Sequence, residues 1–554
     1  MKHGAYRTAL GGLLAAAGVF LVTASNAGQP LLPPTNATMD TPGDPLVSSI
    51  ESLLFSMMPV EAQAQIAVAE FSTEADRSFD APFDVTDKQF ALVAHVMTRE
   101  VFEGMRPAHR RVLLRMAEQA ARGESRMAAC FAPGTDPAFA HAVSEVLYEG
   151  TPRFNQTTRW TNTATDGGGL GQGTPTTITY SYVPDGTSLS GSPSNSQLFA
   201  WLNSVYGNPA TWQPLFDQVF DRWEELTGVT YVYEPNDDGI TFGTSANRGL
   251  IGVRGDVRIG AIGIDGNFGI LAFNDFPNNG DMVFDAFDNF YNITGNNSRR
   301  LRNVIAHEHG HGLGMLHVCP QNSTKLMEPS ASTAFDGPQL DDILNGQRHY
   351  GDPLEANGPV IALGEVGFPG LAITQLSIDD NSDTDIFTVD VPSPSEILIT
   401  ATPTGATYLS GVQTQACNNG SNFNSQIIHD LKISLFDING ATLLGFADNG
   451  GDGVGEFLTV QVQNPGSYFV WISGDDTNNV QLYSFTATVT ELPDLSCNDA
   501  DLAEPLGVLD FSDVVAFLSA FGAMDSDADL APPFGVYDFS DVVAFLSAFG
   551  AGCP

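Results

Sequence analysis

Positive charge is what this chain has least of. Across 554 residues, 23 Lys and Arg face 65 Asp and Glu, for a formal net charge of −42. So acidic a surface repels phosphate backbones, which argues strongly against a nucleic-acid partner. It suits solubility in a saline exterior, or calcium binding. Long apolar runs are scarce as well. One spans about residues 10–22, after Lys2 and Arg7 and before Ser25-Asn26-Ala27. That is the layout of an export signal, and it is short for a membrane span. With no transmembrane span elsewhere, residues 1–27 are expected to be a signal peptide and the rest a secreted, extracellular protein, free or cell-surface associated. Cysteine is sparse, and five in an exported chain permit two disulfides with one left over. Cys497 and Cys553 bracket the C-terminal repeats and are expected to pair. Cys319 with Cys417 is the second expected bridge, leaving Cys130 as the odd one.

Histidine, by contrast, is concentrated. The chain has ten, and four fall in His307-Glu308-His309-Gly310-His311-Gly312-Leu313-Gly314-Met315-Leu316-His317. On a helix, His307 and His311 lie one turn apart on the same face, so both imidazoles reach one ion. Glu308 can point at a water on that metal. Gly314 lacks a Cβ and can take the left-handed conformation that turns the chain back. His317 then becomes a third ligand, with one tetrahedral position open, as in a catalytic zinc site. His309 fits no ligand spacing and is expected to be solvated or packed.

This pattern resembles the metzincin metallopeptidases. Leu326-Met327-Glu328-Pro329 resembles their Met-turn, with Met327 beneath the zinc, and Leu340-Asp341-Asp342-Ile343 through Tyr350-Gly351 resembles the last helix of the matrixin branch. The resemblance covers about residues 150–351. It implies a zinc endopeptidase that takes an extended protein or peptide substrate in a cleft between a twisted sheet and the zinc helix. Matrixins also hold a structural zinc and calcium within the stretch corresponding to residues 256–290. Phe273 and Val283 stand where the family places zinc-binding histidines, so the structural zinc is expected to be absent. Asp265, Asp285 and Asp288 remain as candidate calcium ligands, or as acids that solvate or cap a loop. Matrixin propeptides commonly place a cysteine thiolate on the zinc. Cys130 is the candidate switch, although Met127–Pro133 lacks the family's Arg-Cys-Gly context; the other reading is a buried or unpaired cysteine.

The expected architecture is multidomain. Residues 28–150 form a helical propeptide-like region, with helical periodicity from about Asp87 to Gly123 and, from Arg99 to Arg126, seven arginines that suggest electrostatic docking. An α+β catalytic domain follows at 151–352, with strands at Thr176–Tyr182, Val229–Tyr233 and Asp256–Ile259. Short alternating runs at 360–492 predict an all-β sandwich, similar to domains appended to secreted bacterial peptidases. The segment Asp510–Ala523 recurs unchanged at 538–551. With the acidic loops before each copy, residues 493–554 resemble a small α-helical dockerin module. That implies a cohesin-like or cell-surface partner, with Asp501, Asp510, Asp513, Asp529, Asp538 and Asp541 as candidate calcium ligands. The alternative to a peptidase is a surface-anchored adhesion or scaffold protein whose peptidase domain is inactive.

Overall fold

A computed structural model describes residues 79–121, 127–147 and 155–553, apart from 245, 381, 415, 476, 477, 494 and 495. The expected signal peptide at 1–27 lies outside these residues. No helix among the described residues is long and apolar enough to cross a membrane.

A six-stranded sheet anchors the first half. Its strands are β1 (Met127–Phe131), β2 (Thr176–Tyr182), β3 (Val229–Tyr233), β4 (Val257–Ile262), β5 (Ile270–Asp275) and β6 (Met282–Asp285). Their spatial order is β1-β5-β6-β4-β2-β3. The strands β3, β2, β4 and β6 run parallel, while β5 is antiparallel to β6, and β1 is antiparallel to β5. The strands β4, β5 and β6 are buried at every position, as expected of a sheet covered on both faces. On β6 the alternation is clear. Met282 and Phe284 join a core with Phe216, Trp223, Leu301 and Ile305, whereas Val283 turns to the opposite cluster.

That opposite cluster belongs to the N-terminal region. The helices α1 (Pro107–Ala121) and α2 (Pro137–Leu147) bring Val112, Leu113, Met116 and Phe139 against Ile262, Ile270, Phe273 and Val283. Phe273 and Val283, which stand where matrixins place zinc-binding histidines, therefore fill an apolar contact. The region is not wholly helical, because Met127–Phe131 joins the sheet, and Asp87–Gly123 does not form one helix. Thr98 caps a new helix at Arg99–Gly104, and Pro107 opens the next, where its missing N–H costs nothing. The docking contact is mainly apolar rather than electrostatic. Of the arginines, Arg106 donates to the Asn267 carbonyl and Arg115 lies in the field of Asp265 and Asp285.

On the sheet's other side lie α3 (Leu198–Tyr206), α4 (Pro209–Glu224), α5 (Gly295–Gly312) and α6 (Leu340–Tyr350). The expected apolar stripe of α4 is buried at Leu215, Phe216, Val219, Phe220 and Trp223. Burial of each such side chain is worth about 1.5–3 kcal/mol, which fixes the helix on the sheet.

Beyond Gly358, a five-stranded and a four-stranded sheet share one apolar cluster that includes Phe387, Val389, Ile397, Ile399, Val470 and Phe485. Alternate residues of Thr384–Val391 and Ser395–Pro403 point inward. A separate small sheet pairs β7 (Val318–Cys319) with β8 (Thr407–Val412). The Cys319–Cys417 disulfide fastens that junction, and Cys497–Cys553 closes the tail. Both expected bridges form, and Cys130 is a buried free cysteine.

The tail holds α7 (Phe511–Ala523) and α8 (Phe539–Ala551), joined by the stacked rings of Phe517 and Phe545 at 4.1 Å. Its acids act on backbone N–H groups. Asp513 accepts from Leu502, Ala503 and Asp510, and Asp541 accepts from Leu530, Ala531 and Asp538. Asp510 and Asp538 are N-caps, and Asp501 and Asp529 bind Gly507 and Gly535. These carboxylates organise the two loops and helix starts, while Oδ1 of Asp501 and of Asp529 is buried with no hydrogen-bond partner.

Candidate active site

The site begins on α5. Asn296, Asn297 and Ser298 have positive φ, so its right-handed run starts at Arg299. Leu301, Val304 and Ile305 are fully buried against the sheet, which sets the rotation of the helix and holds His307 and His311 inside the molecule. The helix stops at Gly312. Gly314 has φ +95°, and a Cβ there would press into the Thr158 carbonyl oxygen. The chain turns at that glycine and brings His317 back to the first two histidines.

The three Nε2 atoms converge. His311 lies 3.1 Å from His307 and 3.2 Å from His317, and His307 lies 3.2 Å from His317. Each Nδ1 meets an acceptor: the Leu326 carbonyl at 2.7 Å from His307, the Met315 carbonyl at 2.8 Å from His311, and Oε1 of Gln413 at 2.7 Å from His317. Each ring therefore carries its proton on Nδ1, which leaves three bare Nε2 lone pairs facing one another. Burial holds all three imidazoles neutral, with His307 lowered to about 3 and His317 to about 4. Three lone pairs at this spacing repel unless a cation lies among them. Neutral imidazoles from three residues, with a position left open, fit zinc.

Glu308 is fully buried beside this set. Its Oε1 accepts the backbone N–H of Cys130 at 3.2 Å, and Oε2 has no partner. Burial pushes its carboxyl well above the ordinary range, while the Cys130 N–H pulls the other way. Met327 is buried beneath α5, where a Cβ on Gly310 would strike its sulfur. Asp342 fixes that turn by accepting from the N–H groups of Leu326 and Met327. His309 is packed and not solvated. It sits 2.6 Å from the Tyr231 hydroxyl and edge-on to Phe220.

Cys130 lies in the cleft. It forms one group with His307 and Glu308, whose ligand atoms lie within 4.8 Å of one another; His307, His311 and His317 form a separate group. Burial raises its thiol well above the ordinary range. The strand carrying it is held from both sides, by β5 and by Pro329 and Ala331.

Asp265, Asp285 and Asp288 lie in one loop region and accept from the backbone, while Oδ2 of Asp288 is buried with no hydrogen-bond partner. Asp285 accepts from Ile264, Asp265, Gly266 and Phe287, Asp265 from Ile270, and Asp288 from Phe290. They do not form a close ligand group of the kind that the histidines do, and in this structure they brace the loop. Sequence reasoning missed Gln413, whose contact with His317 spans 96 positions, and Phe131, Pro329 and Ala331, which share the cleft. No local pattern marks Gln413; Pro329 is the last residue of the Met-turn motif.

A buried three-histidine set with an adjacent carboxylate, below a mostly parallel sheet in which only β5 runs antiparallel, is consistent with a zinc centre. The matrixin peptidase family model matches residues 203–351, which contain all four of these residues, and supports a matrixin-type metallopeptidase. No curated protein matches the chain. Among solved structures, the pre-peptidase C-terminal domain of a Bacillus anthracis collagenase is 14% identical, covering 24% of this chain and 94% of that one at TM-score 0.16. A periplasmic inhibitor of g-type lysozyme from Aeromonas hydrophila is 12% identical, over 24% of this chain and 97% of that one, at TM-score 0.15. A carbohydrate-binding module of Cellvibrio mixtus lichenase 5A is 14% identical, over 21% and 70%, at TM-score 0.12. Likeness at these scores carries no functional inference.

Proposed function

We propose that the chain is a secreted zinc-dependent endopeptidase, kept latent by its own residues 127–132. The observation that carries this reading is the convergence of three bare imidazole nitrogens beside a buried carboxylate. His307, His311 and His317 would hold the zinc, which when bound supplies a Lewis acid that polarises a peptide carbonyl. Glu308 takes a proton from the attacking water and returns it to the departing amine. Met327 packs beneath the histidines and does not ligate. An extended substrate lies along β5, the edge that β1 takes in the latent chain.

Latency comes from that occupation. A Cys130 thiolate on the metal is the other way the same segment could silence the enzyme, and Cys130→Ala separates the two. Occupation by the backbone predicts unchanged latency, whereas a thiolate ligand predicts raised basal activity. The rival reading, an adhesion or scaffold protein with an inactive peptidase domain, is disfavoured by the intact histidines and Glu308. The tail's repeated exposed residues, Phe511, Val515 and Leu518 with Phe539, Val543 and Leu546, support a protein-docking role for residues 493–554. Metal analysis of the purified protein should find zinc near one per chain. After the N-terminal region is removed, the protein should cleave casein, and Glu308→Gln should lower that rate at least about 100-fold with zinc retained. Casein cleavage undiminished in the zinc-free protein would refute the reading.

A further inference from the structure

The cleft holds the chain's own strand in the pose of a peptide about to be cut. The strand β1 runs antiparallel to β5, pairing Ala128 with Asn274, Ala129 with Phe273 and Cys130 with Ala272. The register shifts between Cys130 and Phe131, and the Cys130 N–H leaves for Oε1 of Glu308 at 3.2 Å. Immediately beyond, the Phe131 N–H donates to the Pro329 carbonyl and its carbonyl accepts from Ala331, both at 3.0 Å, while the Ala132 N–H donates to Gly269 at 2.8 Å. Backbone bonds therefore clamp the segment on both sides of one peptide link.

In peptide hydrolysis the group that delivers the proton must touch the nitrogen that departs. Here the only backbone nitrogen given to the Glu308 carboxylate among the described contacts is that of Cys130. The bond on that nitrogen is Ala129–Cys130. We infer that Ala129–Cys130 is the enzyme's own first substrate, hydrolysed in cis. The inference rests on the peptidase reading above. One water is consumed: its oxygen bonds to the Ala129 carbonyl carbon, the C–N bond breaks, and Glu308 passes the water's proton to the Cys130 nitrogen. The products are a carboxylate at Ala129 and a new N-terminus at Cys130. Small side chains at Ala128 and Ala129 allow the strand to lie flat against β5, and all of Met127–Phe131 is buried. The clamps hold both product ends, so the cut is a single turnover that precedes release of the N-terminal region.

The test uses the full chain with Glu308→Gln beside it. Zinc is added to metal-free protein, and the products are read by intact mass and N-terminal sequencing across a wide dilution range. A chain beginning at Cys130, formed with a half-time independent of dilution, is the expected result; Glu308→Gln should slow it at least about 100-fold. A half-time that shortens with concentration, or a first cut elsewhere, overturns the inference. So does an uncut zinc-loaded chain whose trypsin-trimmed form cleaves casein, and that outcome leaves the peptidase reading standing. Failure of both cleavages sinks the peptidase reading itself. A readout independent of turnover is amide exchange in the metal-free protein. The Cys130, Phe131 and Ala132 amides should exchange slowly, and rapid exchange would show that the strand does not occupy the cleft.

Discussion

Oε1 of Gln413 accepts from Nδ1 of His317 at 2.7 Å, so a residue from the C-terminal half fixes the ring of a proposed zinc ligand. The same amide donates through Nε2 to the Ser144 hydroxyl of α2 at 2.9 Å. Gln413 thus joins three regions of the chain at the metal site. Partners of this kind set a ligand's tautomer and orientation. Gln413→Leu should weaken zinc binding about 10–100-fold, measured by competition with a chromogenic chelator. Gln413→Glu, which keeps an acceptor, should restore most of it. Unchanged affinity in the Leu variant would show that His317 is held by packing alone.

Gly314 is the hinge of the site. Its positive φ and the nearby Thr158 carbonyl leave no room for a side chain. Gly314→Ala should cost about 1–3 kcal/mol of stability and displace His317. Thermal melting with and without zinc checks this, and the zinc-induced rise in Tm should shrink. A variant with parental melting and zinc response would disprove the hinge.

The Cys319–Cys417 bridge closes a separation of 98 residues and ties β8, just before Gln413, to β7. Replacing both cysteines by Ser should destabilise the protein by about 2–5 kcal/mol. Zinc affinity should fall in the same direction as for Gln413→Leu. Loss of stability with zinc affinity intact would separate the bridge from the metal site.

A crowd of acids lies where the peptidase domain enters the C-terminal sheets. Burial first, and then the charge of Asp383, raises Glu355 to about 11 and Asp379 to about 9. The unfolded values lie near about 4, so the folded state binds these protons more tightly. Stability from this cluster is full below about pH 4 and is lost as pH rises through the folded values. In buffer without divalent cations, the parent's Tm should fall between mildly acidic and mildly alkaline pH. Asp379→Asn should flatten that fall. A parent curve that rises over the same range would contradict the burial account.

Much of the site was legible in the sequence because its grammar is local. The four-residue spacing of His307 and His311, Glu308 beside the first, the turn at Gly314 and the return of His317 all follow from one helix and one glycine. The stripe on α4 and the alternation in Thr384–Val391 were legible for the same reason, since a repeat of 3.6 or 2 residues is written along the chain. Periodicity marks helix within Asp87–Gly123 but carries no sign of β1, because Met127–Phe131 becomes a strand only by pairing with β5.

Which groups serve the acids and the third histidine was decided elsewhere. Asp285 and Asp513 read as candidate cation ligands in the sequence, and only the fold decides which backbone N–H groups their oxygens meet. Gln413 and Ala129–Cys130 reach the metal site from distant positions, and nothing in their neighbours announces it. Sequence determined the chemistry that a helix and a turn could assemble by themselves. Tertiary structure decided what fills the cleft and what orients His317, because those contacts exist only when remote backbones are packed together.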